Sequence, residues 1–196
     1  MKRGIIMKKH SVLAIIISAI VYLAFYPLGS VTGLIHPACY AYVGTLLPLL
    51  FAFVYLPASA NRQGFGAAAI LNGFTLIIGI IAGEGNLPLI IGMIGLAVLA
   101  EIIRAVCGYD TLKGVRLSFI PFAFSFYAYS AHWWFDKEGS LAAAVEEMPA
   151  GYADKMEPVI NNIPAIVIAL VLTVPVAILG MRIAEKVLKK QTALLK

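Results

Sequence analysis

Apolar residues run for about 20 positions at a time along this chain, the length a helix needs to cross the hydrocarbon of a bilayer. Polar and proline- or glycine-containing stretches separate the runs. They fall at residues 11–28, 38–57, 66–83, 87–107, 115–135 and 159–182, and predict six transmembrane helices. Pro37, Pro48 and Pro57 punctuate the second run. Proline kinks a membrane helix where neighbours satisfy the freed carbonyl. No repeat, linker or soluble segment interrupts the pattern. The expected fold is all-α: a polytopic membrane protein, one integral membrane domain over residues 1–196, with six helices in one compact bundle.

Composition narrows the class. Only 13% of the residues are charged and 61% are hydrophobic, whereas soluble domains carry about 25% charged residues. The basic start "MKRGIIMKKH" resembles the first part of a signal peptide. The apolar run behind it is long and has no small-x-small cleavage site, so an uncleaved first helix over 11–28 is expected, with Met1 or Met7 as the start of the chain.

The net charge of +5 is explained by position. With both termini in the cytoplasm, the inner segments hold Lys2, Arg3, Lys8, Lys9, Arg62, Arg104, Lys113, Arg116, Arg182, Lys186, Lys189, Lys190 and Lys196. Only Lys137 and Lys155 then lie outside. The opposite orientation breaks the positive-inside rule. The basic excess is thus a topology signal and an attraction to anionic lipid; nucleic acid is not an expected partner.

This orientation gathers the unusual side chains on the outer face. "HPACYAYVG" contributes His36, Cys39, Tyr40 and Tyr42. "GEGNLP" contributes Glu84 and Asn86, and the fifth run ends in His132, Trp133 and Trp134. Each has a plainer reading as interfacial belt, loop residue or solvated turn. Convergence of loops one, three and five favours a site. Phe119, Phe122, Phe126, Tyr129 and Trp133 step by three and four, so they share one helix face. Packing accounts for the inner members, and Tyr129 with Trp133 could floor a pocket for a planar ligand.

Small residues mark close helix approaches: Ser11, Ala14 and Ser18 in the first run; Gly66, Ala69 and Gly73 in the third; Gly92 and Gly95 in the fourth. Glu101 and Arg104, three apart near the inner interface, are expected to pair on the helix surface. Cys39 and Cys107 fall on opposite sides, which excludes a disulfide between them. The sequence contains no HExxH, GxSxG, Walker A or Cys-x-x-Cys pattern, and no repeated polar stripe that would line a pore. A non-enzymatic protein without an intrinsic cofactor or ATPase activity is expected.

Three stretches carry a family resemblance. "PLLFAFVYLPASANRQGFGAAAILNG" looks like the second helix, basic inner turn and glycine-led third helix of the Trep_Strep family. That family resembles the substrate-binding S components of energy-coupling factor (ECF) transporters. "GLAVLAEIIRAVCGYDT" is similar to its fourth-helix motif, with Glu101, Gly108 and Tyr109 in place. "GYADKMEPVINNIPAIVIALVLTVPVAILGMRIAEKVLKK" resembles its last outer loop and sixth helix. The tail departs, with "LKKQT" where Lys-His-Phe is common.

The resemblance implies a multi-pass protein of a bacterial plasma membrane. Its partners would be the lipid bilayer, an ECF T subunit and two ATPases. It would bind a small molecule outside and topple in the membrane to deliver it. Docking on the T subunit would use Ala14 and Ser18, with Ser11 beside them. The implied binding site comprises His36, Cys39, Tyr40, Tyr42, Glu84, Asn86, Tyr129, His132 and Trp133. His36 and His132 as paired imidazoles would suit haem or another metal chelate. A metal-free, vitamin-like substrate stands equally open. The competing reading is a ligand-free accessory or assembly protein.

Overall fold

A computed structural model describes residues 9–195, with side chains from Val12 onward. The alternative starts at Met1 and Met7, and the side chain of Ser11, lie outside the described residues. The elements there are all helical. They are α1 (Lys9–Val31), a 3-10 turn (Thr32–Leu34), α2 (Pro37–Val43), α3 (Pro48–Asn61), α4 (Ala67–Ile81) and α5 (Leu87–Cys107). Then follow α6 (Leu112–Phe122), α7 (Ser125–Ser130), α8 (His132–Phe135), α9 (Lys137–Glu147), α10 (Tyr152–Asn161), α11 (Ile163–Val187) and α12 (Lys189–Thr192).

Prolines and caps explain most boundaries. Pro37 and Pro48 stand in the first turns of α2 and α3, where the missing N–H costs nothing. Asn86, Thr111 and Asn162 cap α5, α6 and α11 by accepting from Leu89 N, Gly114 N and Ala165 N. Four segments are long and apolar enough to cross a membrane: Val12–Leu34, Pro37–Asn61, Leu87–Cys107 and Ile163–Val187. Helix α4 is apolar but shorter.

Two expectations need correction. The run 115–135 is not one helix. A turn from Phe124 N to Pro121 O separates α6 from α7, and the Ser125 hydroxyl donates to Phe122 O there. Proline interrupts the backbone ladder at that point. The expected outer loop between the last two runs is itself helical, forming α9 and α10. Accordingly, the last long helix starts at Ile163, not at residue 159.

Helix α5 packs between α4 and α6, and α3 packs between α1 and α11. The aromatic face from Phe119 to Trp133 points into this bundle. Phe119, Phe122 and Phe126 are fully buried. Phe122 meets Tyr22 of α1 and Tyr55 of α3, with ring centroids 5.0 and 4.5 Å apart. Such ring pairs contribute about 0.5–1.5 kcal/mol beyond their buried area. Large apolar side chains cover the outside of α1, α5 and α11, including Ile17, Val98 and Val171. A continuous apolar exterior of this kind suits lipid, not water.

Small residues permit two close contacts. A side chain at Gly180 would meet Pro48 O at 2.7 Å, and one at Gly92 would meet Ala128 Cβ at 2.6 Å. Gly73 and Gly95 have no such neighbour within 4 Å. On α1, Ser18 is only 5% exposed and faces the core, while Ala14 is half-buried. The small face of α1 therefore serves the bundle at Ser18, and is not free there for docking.

Glu101 and Arg104 also depart from expectation: both are buried, and they do not form an ion pair. Glu101 Oε1 accepts from Ala68 N at 2.8 Å, at the start of α4. Arg104 Nη2 donates to Ser59 O at 3.1 Å, Arg62 O at 3.1 Å and Tyr109 O at 2.6 Å. The first two carbonyls close the end of α3. The acid thus meets the positive end of one helix dipole, and the base meets the negative end of the other.

Glu101→Ala should lower stability by about 1.5–3 kcal/mol, the usual worth of a hydrogen bond to a charged group. Thermal unfolding in detergent would measure it, and Arg104→Ala, which strands three carbonyls, should cost more.

Candidate functional site

One end of the bundle holds a cavity of about 560 Å³, within the range of small-molecule sites. The last turn of α1, the 3-10 turn, the α4–α5 connection and helices α2, α7, α8, α9 and α10 all line it. Tyr40, Tyr129, Trp133 and Tyr152 supply aromatic walls. Trp133 and Tyr40 are buried, with ring centroids 6.4 Å apart in an edge-to-face arrangement. Burial raises the Tyr152 hydroxyl above its ordinary range, so it remains a neutral donor.

A buried polar network stiffens the floor. Tyr26 lies edge-on to Tyr129 at 5.3 Å, and its hydroxyl meets that of Tyr22 at 2.6 Å. Tyr22 donates to Asn72 Oδ1 at 2.9 Å, and the Ser125 hydroxyl, its one proton shared with Phe122 O, lies 3.1 Å from the same oxygen. Asn72 Nδ2 donates to Met93 O at 3.2 Å. Four helices, α1, α4, α5 and α7, are thereby joined below the cavity. Satisfied polar networks in low dielectric fix one arrangement of their helices.

The roof is fastened at His132. Its Nδ1 lies 2.8 Å from Ser140 Oγ, and that hydroxyl donates to His132 O at 3.1 Å. With the serine proton on the carbonyl, Nδ1–H donates to Oγ. This pair clips α9 onto α8. Lys137 binds Asn161 Oδ1 at 2.7 Å and Glu157 at 3.5 Å, tying α9 to α10.

The structure brings six of the expected site residues around this cavity: Tyr40, Glu84, Asn86, Tyr129, His132 and Trp133. Asn86 also caps α5, which fixes the approach of its neighbour Glu84. Three others sit elsewhere. His36 is the cap of α2, its Nδ1 accepting from Ala38 N at 3.1 Å. Cys39 is exposed and free, as Cys107 is free at the opposite end of the bundle. Tyr42 donates to Val159 O at 3.2 Å and borders a separate, shallow apolar groove beside α11. His36 and His132 therefore do not share the cavity. Among the described residues, no group of three or more His, Cys, Asp or Glu is placed to hold a metal.

Sequence reasoning missed Asp136, Ser140, Glu147 and Tyr152, which also line the cavity. The available signal was Tyr152, Met156 and Ile160, spaced by four like one face of an amphipathic helix. Met156 and Ile160 are both buried.

Lipid-facing long helices around an end cavity define a polytopic integral membrane protein. Residues 9–193 match the model of the family described as hypothetical bacterial integral membrane protein (Trep_Strep), and the chain belongs to that family. Comparison with curated proteins and with solved structures returns no match.

Ser140→Ala should loosen the roof without unfolding the bundle. Loss of its hydrogen bonds, worth about 1–1.5 kcal/mol, should speed amide hydrogen exchange in residues 137–147 by about tenfold. Exchange in α3 and α5 should stay as in the parent.

Proposed function

We propose that this chain is the substrate-binding S component of an ECF-type importer. The observation that carries the reading is the aromatic cavity, set in one end of a lipid-facing bundle. In this reading the chain crosses a bacterial plasma membrane six times, with α2–α3 and α6–α8 each serving as one crossing. Both termini and the basic end are cytoplasmic, and the cavity opens outward. A small molecule enters the cavity, α9 covers it, and the loaded subunit turns within the bilayer against a T subunit driven by two ATPases.

The family likeness in "GLAVLAEIIRAVCGYDT" supports this assignment, as does the lack of any catalytic motif. The basic residues Arg62, Arg116 and Arg182 lie at the end away from the cavity, where a cytoplasmic partner would meet them. Docking would involve the outward part of α1 around Ala14; Ser18 is committed to the core. Ligand recognition would rest on the aromatic walls. A haem or metal-chelate ligand held by His36 and His132 gains no support from the positions of those residues. A metal-free ring system fits the cavity better.

The decisive test is purification of the chain from cells that make it, followed by mass spectrometry of any bound small molecule. The S-component reading expects one organic ligand, whose occupancy falls at least about tenfold in Trp133→Ala, the scale of one lost stacking contact. If no small molecule accompanies the protein, and it transports nothing with a T subunit and ATPases, the ligand-free accessory reading stands instead.

Orientation has its own test. Cys39 is exposed beside the cavity end and does not line it. An impermeant maleimide should label Cys39 in intact cells, and Cys107 only after permeabilisation. Labelling of Cys107 in sealed cells would reverse the proposed topology.

A further inference from the structure

The cavity has a one-sided charge. Glu84, Asp136 and Glu147 line it, and among the described residues no lysine or arginine does. These acids come from three separate places: the α4–α5 connection, the α8–α9 junction and the end of α9. All three residues are exposed, whereas Tyr40 and Trp133 in the same lining are buried, so the acids stand nearer to solvent than the aromatic walls. The nearest lysine in sequence, Lys137, is held by Asn161 and Glu157 on α10.

We propose that the ligand is an organic cation: a flat or apolar body bearing a protonated or quaternary amine. This rests on the cavity being the substrate site. Carboxylates nearer to solvent attract such a molecule and strengthen its local concentration. The faces of Tyr40, Tyr129, Trp133 and Tyr152 then receive it, because aromatic faces carry negative quadrupole charge. The Trp133 indole is 4% exposed beside Tyr40, and its Nε1 makes no hydrogen bond of full geometry. It offers one donor to an acceptor on the ligand, which gives direction to an otherwise adaptable aromatic box.

Two alternatives fit less well. A bare metal ion needs several close ligands, and no His, Cys, Asp or Glu group of three is placed for one among the described residues. An anionic ligand, haem with its two propionates included, would meet three like charges and, among the described residues, no lysine or arginine. Burying its carboxylates without partners is unfavourable.

The test uses the purified full chain in lipid nanodiscs and three flat probes of similar size: 1-methylquinolinium, 1-methylnaphthalene and 1-naphthoate. Titration calorimetry at low salt gives their affinities. The cation should bind at least about tenfold more tightly than the neutral probe, and the anion more weakly than either. Raising salt should shrink the cation's advantage, because exposed charges are screened. The triple variant Glu84→Gln, Asp136→Asn, Glu147→Gln should lose the cation preference while unfolding at the parent's temperature.

Equal or tighter binding of the anion overturns the proposal, as does a triple variant that keeps the full preference. If the neutral probe binds wild type and is lost in Trp133→Ala, with no preference for the cation, the cavity stands as a site and only its charge selectivity fails. If no probe binds and no small molecule accompanies the purified protein, the substrate-site reading falls and this proposal with it.

Discussion

Two buried charges on α5 hold one end of this molecule together. A carboxylate and a guanidinium cannot leave water without partners, since the cost far exceeds what one side chain gains by packing. Here the partners are helix ends. Glu101 accepts at the first turn of α4, and Arg104 collects carbonyls from the end of α3 and from Tyr109. Arg104 also lies 5.3 Å from the centre of the Tyr109 ring. Helix ends are where unpaired backbone groups accumulate. One turn of α5 thus pairs both charges with helix ends, through Glu101 Oε1 and Arg104 Nη2, and sets the positions of α3 and α4.

From that fixed end the helices carry order toward the other. The Tyr22–Tyr26–Asn72–Ser125 network joins α1, α4 and α7 partway along the bundle, and Met93 O ties in α5. Above it the chain stops forming long helices. The segments α7, α8, α9 and α10 are short, and they wrap the space that longer helices would have filled. The cavity is the consequence. Its floor is anchored in a satisfied polar core, while its roof rests on the His132–Ser140 contact and the Lys137 links. That contrast in anchoring suits a site that must open to admit a ligand and close over it.

The two ends also differ in chemistry. The end with the chain's basic segments pairs Arg116 with Glu185 at 2.6 Å and draws Gln63 onto Leu194 O. The cavity end carries most of the acids. In a membrane protein such separation sets orientation, and at a binding site it filters ligands by charge. One distribution of side chains would therefore serve both topology and selection.

The sequence by itself determined the class. Long apolar runs and the scarcity of charge leave only a helical membrane protein, because backbone groups in lipid must pair within their own helix. Motif spacing carried the family likeness, and the clustering of Tyr40, Glu84, Asn86, Tyr129, His132 and Trp133 at one end of the bundle was readable from the alternation of runs and loops. Tertiary structure decided the rest. Hydropathy averages over a window, so it could not see that residues 112–135 break into three helices or that 137–161 forms two. Spacing placed Glu101 and Arg104 on one helix face but could not reveal that each had a better partner on a neighbouring helix. It likewise could not separate His36, whose imidazole caps α2, from His132, whose imidazole holds the roof. Nearness in sequence reports only which residues share an element, whereas a site is made by elements that distant contacts bring together.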